Sequence, residues 1–167
     1  MIISIIYLLI SFILENIMSN IFPSYLSSVS PLTTIYTVVA LVIIYPYFVS
    51  EKKYFLLVVI FGILFDILYT STFIVNLVMF IIIYIIIKIL NNIITNNILT
   101  SNIISIISII TYHTLTFIIL NINGYNYPFR LLTNIITHSL IMTIIYTMIS
   151  YCIIGKILRK KENRGIK

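Results

Sequence analysis

Residues 62–76 read Gly-Ile-Leu-Phe-Asp-Ile-Leu-Tyr-Thr-Ser-Thr-Phe-Ile-Val-Asn, and how this stretch divides decides the fold. It lies inside an apolar run from residue 54 to residue 90, far too long for one bilayer crossing, which takes about 20 helical residues. Thr70-Ser71-Thr72 is only mildly polar, but without a cut there the run would be too long, so the chain is expected to turn at this point. Gly62 and Asp66 then close one helix and Asn76 opens the next. Asp66 stands out among these residues. A charged side chain at the centre of a membrane helix costs roughly 2.5–3.5 kcal/mol on insertion scales. It requires a partner, a water-filled cavity or a place near the interface, which makes Asp66 the first candidate functional residue.

The rest of the chain supports a membrane setting. Of 167 residues, 61% are hydrophobic and 8% charged, against about 25% charged in a soluble domain. Such a chain cannot cover its own surface in water, so an all-α integral membrane protein is expected. Its length allows six spans with short loops and no sizeable soluble domain. Cutting the apolar runs at polar clusters and prolines gives spans near 2–22, 32–50, 54–70, 73–94, 98–120 and 131–155, followed by a basic tail, 156–167. The breaks are the Ser-rich segment Pro23 to Pro31, the charged turn Glu51-Lys52-Lys53, the Asn91-Asn92 to Asn97 turn, and the loop from Asn121 to Pro128. The N-terminus has no basic n-region and no small-residue cleavage site, so Ile2 to Phe22 is expected to remain as the first span. The single cysteine, Cys152, cannot form an internal disulfide and reads as a small packed hydrophobe.

Lysine and arginine set the expected orientation. With the N-terminus inside, the cytoplasmic face receives Lys52, Lys53, Lys88, Lys156, Arg159, Lys160, Lys161, Arg164 and Lys167, and only Arg130 lies outside. That split follows the positive-inside rule and places both termini in the cytoplasm. The excess positive charge then reflects topology first and attraction to anionic lipid second. Nucleic-acid binding is a poor reading of a short basic tail without interleaved aromatics.

In this orientation the polar residues of the spans gather toward the outer half. They are Glu15 and Asn16 in span one, Asp66 in span three, Asn76 in span four, His113 in span five, and Asn134 and His138 in span six, with Arg130 just above. A polar cluster or cavity is expected there, with Asp66 paired to Arg130 or Asn134. The plainer alternative is that each group bonds a neighbouring helix as packing glue, worth under about 1 kcal/mol. Two histidines without a matching Cys or carboxylate set do not make a metal site. The chain has no HExxH, no GxSxG, no phosphate-cradling glycine loop and no paired carboxylates on one helix. Neither a cofactor nor catalysis is expected.

Six short spans with Gly62-x-x-x-Asp66 closing the third and Asn76 opening the fourth resemble the MreD family, the bacterial rod shape-determining protein D. The family pattern here reads approximately GLLLDLLSGSPLGLNAL. Laid without gaps from Gly62, it matches Gly62, Leu64, Asp66, Leu68, Ser71 and Asn76, with Phe73 in an apolar slot. More loosely, span one ends in a polar approach to proline from Glu15 to Pro23, Pro31 opens span two, Asn134 precedes the last apolar run, and a basic tail closes the chain. The chain departs from the family at Thr70 and Thr72, where Gly and Pro are common. It departs also at Ile74, which replaces a Gly, at Val75, which replaces a Leu, and at Leu32, where an Asp is common. The resemblance implies a non-catalytic component of the cell-elongation machinery in the bacterial cytoplasmic membrane. Its implied partners are MreC, the MreB filament, and the transpeptidase and glycosyltransferase of lateral wall synthesis.

The second expectation is a substrate-binding subunit of an energy-coupling-factor vitamin transporter, a class similar in size and span number whose fold MreD is thought to share. That class carries Ala-x-x-x-Ala spacing on its first span, which Ile5-Ile6-Tyr7-Leu8-Leu9-Ile10-Ser11-Phe12-Ile13-Leu14 lacks. Tyr125 and Tyr127 are available to line a pocket, and equally to anchor the interface.

Overall fold

The computed structural model describes residues 2–21, 34–70 and 74–158, the side chains of 19–21 and 70 excepted. Described residues that are regular are all helical: α1 Ile2–Ile21, α2 Tyr36–Ile44, α3 Glu51–Phe65, α4 Val75–Ile93, α5 Ile98–Ile122 and α6 Phe129–Ser150. A 3₁₀ turn, Tyr45–Tyr47, extends α2, and π turns Asp66–Thr70 and Tyr151–Gly155 extend α3 and α6. The segment from Pro23 to Pro31, Leu32, the Ser71–Thr72 break and tail residues Arg159, Lys160, Lys161, Arg164 and Lys167 lie outside the described residues.

Among the described residues, three helices are long and apolar enough to cross a membrane: Val75–Ile93, Ile98–Ile122 and Phe129–Leu158. Ile2–Met18 and Tyr36–Tyr47 are shorter apolar helices. The burial pattern is compatible with a protein in lipid. α1 exposes Ile2, Ile6, Ile10, Ile13 and Ile17 while burying Ser4, Ser11 and Glu15. α6 likewise buries Ser139, Thr143, Thr147 and Ser150. Small hydroxylated residues on the inner faces let helix backbones approach closely. Their hydroxyls are satisfied by their own helix, Thr143 bonding the Ser139 carbonyl and Thr147 the Thr143 carbonyl, each at 2.7 Å.

Two of the expected boundaries need correction. Glu51-Lys52-Lys53 is the first turn of α3 rather than a loop. A carboxylate there faces the positive end of the helix dipole, which favours helix over turn. α2 is much shorter than the expected 32–50 span. Pro46 cannot continue an α-helix and falls in the 3₁₀ turn that ends it. At its other end α2 starts deep inside the bundle. Thr34 bonds Thr143 at 2.7 Å, midway along the Phe129–Leu158 helix, and the Tyr36 ring meets Tyr146 edge-on at 4.8 Å. All nine residues of α2 are buried, with α1, α4, α5 and α6 packed around it. Tyr54 of α3 donates to the Leu41 carbonyl at 3.0 Å. Cys152 is also corrected: it is free and exposed on the π turn after α6, on an outward face beside Ile153.

Candidate functional site

α4 begins without a capping side chain of its own. Its N-cap is Ile74, which carries no acceptor and sits in the left-handed region with φ 72°. The missing cap comes from the end of α3. Asp66 Oδ1 accepts the Asn76 amide at 2.9 Å and the Asn76 side-chain Nδ2 at 3.0 Å, while Oδ2 accepts the Leu77 amide at 3.0 Å. A carboxylate so placed satisfies amides the helix leaves unpaired and faces the positive end of its dipole. This accounts for an acid that is only 4% exposed. Gly62 makes the approach possible. A Cβ there would lie 2.9 Å from Leu77 Cα, a contact real side chains do not make. Gly62 thus lets the α4 backbone close in, and Asp66 captures its first amides one turn later.

A second carboxylate does the same for α2, whose N-cap, Ile35, also lacks a side-chain hydrogen bond. Glu15 Oε2, on α1, accepts the Thr37 amide at 3.2 Å and the Thr37 hydroxyl at 2.7 Å. The Asp66–Asn76 joint is tied to α5: Tyr112 donates to Asn76 Oδ1 at 2.7 Å. Tyr69, in the π turn after Asp66, donates to the Phe12 carbonyl of α1 at 2.6 Å.

Asn76 and Tyr112 also form one wall of a cavity of about 610 Å³ between α4 and α5, completed by Met79, Thr116, Asn123 and Tyr125. A chamber of about 110 Å³ lies between α5 and α6, lined by His113, Leu132 and Tyr127 and sharing Thr116 and Leu120 with the larger cavity. Tyr125 and Tyr127 stack with rings 5.8 Å apart and nearly parallel, so one short loop borders both spaces.

Three of the residues expected at the site do not join it. Arg130, Asn134 and His138 are exposed on α6, and Asp66 is paired with the start of α4 in place of the expected Arg130 or Asn134. The reason is geometric: the turn back from α3 brings two free amides to Asp66, while α6 turns those side chains outward. Asn16, next to the buried Glu15, is exposed. Gly62, Asp66 and Asn76 come together as one joint, Glu15 forms the second cap, and His113 faces the small chamber.

Thr37 and Tyr112 were not singled out in the sequence. A signal for Tyr112 was present: Ser101, Ser105, Ser108, Tyr112 and Thr116 recur every three or four residues, marking the inward face of α5. Thr37 sits among apolar residues with no such pattern. Compared with protein-family models, curated proteins and solved structures, the chain matches none.

Proposed function

We propose that this chain is a six-span, non-catalytic membrane component of the bacterial cell-elongation machinery. In this reading it is similar to MreD, and it couples an MreC-like protein and MreB to the wall synthases. The observation that carries the reading is the joint between α3 and α4. Gly62, Asp66 and Asn76, the residues on which the resemblance rests, meet there in one hydrogen-bonded unit. The left-handed residue that completes the joint, Ile74, falls where the family pattern has Gly, the residue for which that conformation is free of strain.

The expected count of six spans is supported by α1 and the α3–π segment, at 20 residues each, which are long enough for crossings of about 30 Å, with the shorter α2 belonging to the sixth. α2 is then the sheathed span at the centre, in a fold resembling the energy-coupling-factor substrate-binding subunits. The Glu51–Lys88 ion pair and the approach of Tyr47 to Gly155 gather Lys52, Lys53, Lys88 and Lys156 at one end of the bundle. Arg130 starts α6 at the other end. The positive-inside rule makes the first end cytoplasmic. The Asp66–Asn76 joint then lies toward the outer leaflet, where it fixes the end of α3 against the start of α4 for a partner's span.

The cavity beside Asn76 favours a second reading, the substrate-binding subunit of a vitamin transporter, since about 300–1,000 Å³ is the usual range for small-molecule sites. Affinity purification of the tagged chain in mild detergent, with mass spectrometry of co-purifying proteins, separates the two. Recovery of an MreC-like protein with wall synthases supports the elongation reading. Recovery of ABC-type ATPases with a transmembrane coupling subunit overturns it.

A further inference from the structure

The cavity between α4 and α5 has a wall chemistry that selects among ligands whichever partners the chain has. We infer that it binds an uncharged, largely apolar small molecule bearing a hydroxyl or amide group.

The absence of charge is the first argument. None of the nine residues lining the cavity is Asp, Glu, His, Lys or Arg. The nearest charge along the hydrogen-bond chain, Asp66, lies behind Asn76 with both oxygens engaged by α4. An anion entering here would meet no cation, and a cation would be separated by Asn76 from a carboxylate whose oxygens are already taken by the α4 amides. Burying an unpaired ion costs far more than burying a neutral hydroxyl that finds a partner.

Partners for such a hydroxyl or amide are present. Tyr112 gives its proton to Asn76 and keeps its oxygen lone pairs. Thr116 gives its proton to the Tyr112 carbonyl and likewise keeps an acceptor. Asn123 donates to the Ile119 carbonyl through Nδ2, leaving its amide oxygen. Val75, Met79, Ile119 and Leu120 supply the apolar remainder. Across α5, His113 Nε2 is buried with no hydrogen-bond partner and faces the adjoining chamber. A buried ring nitrogen without a partner is a standing demand for one, and the shared Thr116 and Leu120 bring that demand to the edge of the main cavity.

Shape argues against a partner's helix as the occupant. The residues lining the cavity on α5 run only from Tyr112 to Asn123, with Tyr125 just beyond. A packed helix sits 8–10 Å away axis to axis and needs contact along its length.

The test uses the full chain in lipid nanodiscs and two photoactivatable probes: a short alkyl alcohol carrying a diazirine and an alkyne, and the carboxylic acid of the same skeleton. Labelled positions are mapped by peptide mass spectrometry. The alcohol is expected to label the lining of α4 and α5 saturably, and the acid to label it weakly. Thr116→Phe, which fills the shared wall, should reduce this labelling about tenfold, equivalent to about 1.4 kcal/mol of binding. Tyr112→Phe, which adds no bulk, should reduce it about fivefold by removing one hydrogen-bonding group. Four outcomes overturn the inference: equal labelling by the acid, labelling spread evenly over lipid-facing isoleucines, no saturable labelling, or labelling unchanged in Tyr112→Phe.

Discussion

One carboxylate oxygen of Glu15 takes both the amide and the hydroxyl of Thr37, just as one oxygen of Asp66 takes both the amide and the side-chain nitrogen of Asn76. Thr37 and Asn76 occupy the same place, the second residue of their helices, and each helix has an N-cap without a side-chain hydrogen bond. Two helical pairs, α1–α2 and α3–α4, are thus joined by one device. In α6 the second residue is Arg130, which is exposed.

Removing the Asp66 carboxylate leaves the Asn76 and Leu77 amides buried and unpaired. Asp66→Leu should lower stability by about 2–5 kcal/mol, combining lost caps with orphaned donors. In a chain of this size that is a drop of roughly 5–15 °C in melting temperature. Asn76→Leu should destabilise less, and the double variant less than the sum, because the residues share one network. Thermal unfolding of purified variants in detergent checks this. Full additivity would show that the two residues act separately.

Gly62→Ala forces a Cβ against the Leu77 backbone, which cannot rotate away as a side chain would. Overpacking of this kind typically costs about 1–3 kcal/mol. Gly124→Ala meets no atom within 4 Å, so only the strain of its left-handed φ of 90° remains, about 1 kcal/mol. A larger melting-temperature loss at residue 124 than at residue 62 would contradict the close approach of α3 and α4.

Ile74→Gly should stabilise the protein. A β-branched residue in the left-handed region carries roughly 1–2 kcal/mol of strain, part of which glycine returns in the entropy of the unfolded chain. The expected rise is about 2–4 °C per kcal/mol gained, read in the same unfolding assay.

Glu15→Gln keeps an acceptor for Thr37, whereas Glu15→Leu removes it. The leucine variant should be less stable than the glutamine variant by about 1–3 kcal/mol, the cost of an unsatisfied buried amide. Equal melting temperatures for the two would show that Glu15 does not cap α2.

Lys88 and Tyr84 both engage the Glu51 carboxylate and hold its pKa below the ordinary value. A depressed carboxylate stabilises the fold above the unfolded-state pKa, and this contribution is lost as pH falls through the folded one. The pair is exposed, so its effect is screened by salt. Glu51→Gln should therefore lower stability slightly near neutral pH at low ionic strength, with the difference vanishing as pH falls through the folded-state pKa of Glu51 and in high salt. A salt-independent effect would mean that the pair acts through packing.

The all-helical fold, its long apolar helices and the meeting of Gly62, Asp66 and Asn76 near one helix junction were legible in the sequence. Each leaves a local mark: a long apolar run, a polar interruption, a charge where charge is costly. The depth at which α2 starts was not legible. Its residues are apolar on every side, and an apolar run does not tell a helix wrapped by protein from one facing lipid. Nor was the partner of Asp66, because pairing by a backbone amide leaves no trace in residue identity. The outward turn of Arg130, Asn134 and His138 depends on the rotation of α6, which its weak periodicity does not fix.

The sheathing of α2 also determines how freely each helix can vary. Lipid accepts almost any apolar side chain, so the exposed isoleucines of α1 can drift among Leu, Val, Met and Phe at little cost. Tyr36 to Ile44 touch protein on all sides, and protein interiors respond to a single added or missing methylene. The least conspicuous stretch of hydrocarbon in the chain is therefore expected to be its most shape-constrained, and a library randomised over apolar residues should reveal it as a narrow band of intolerance.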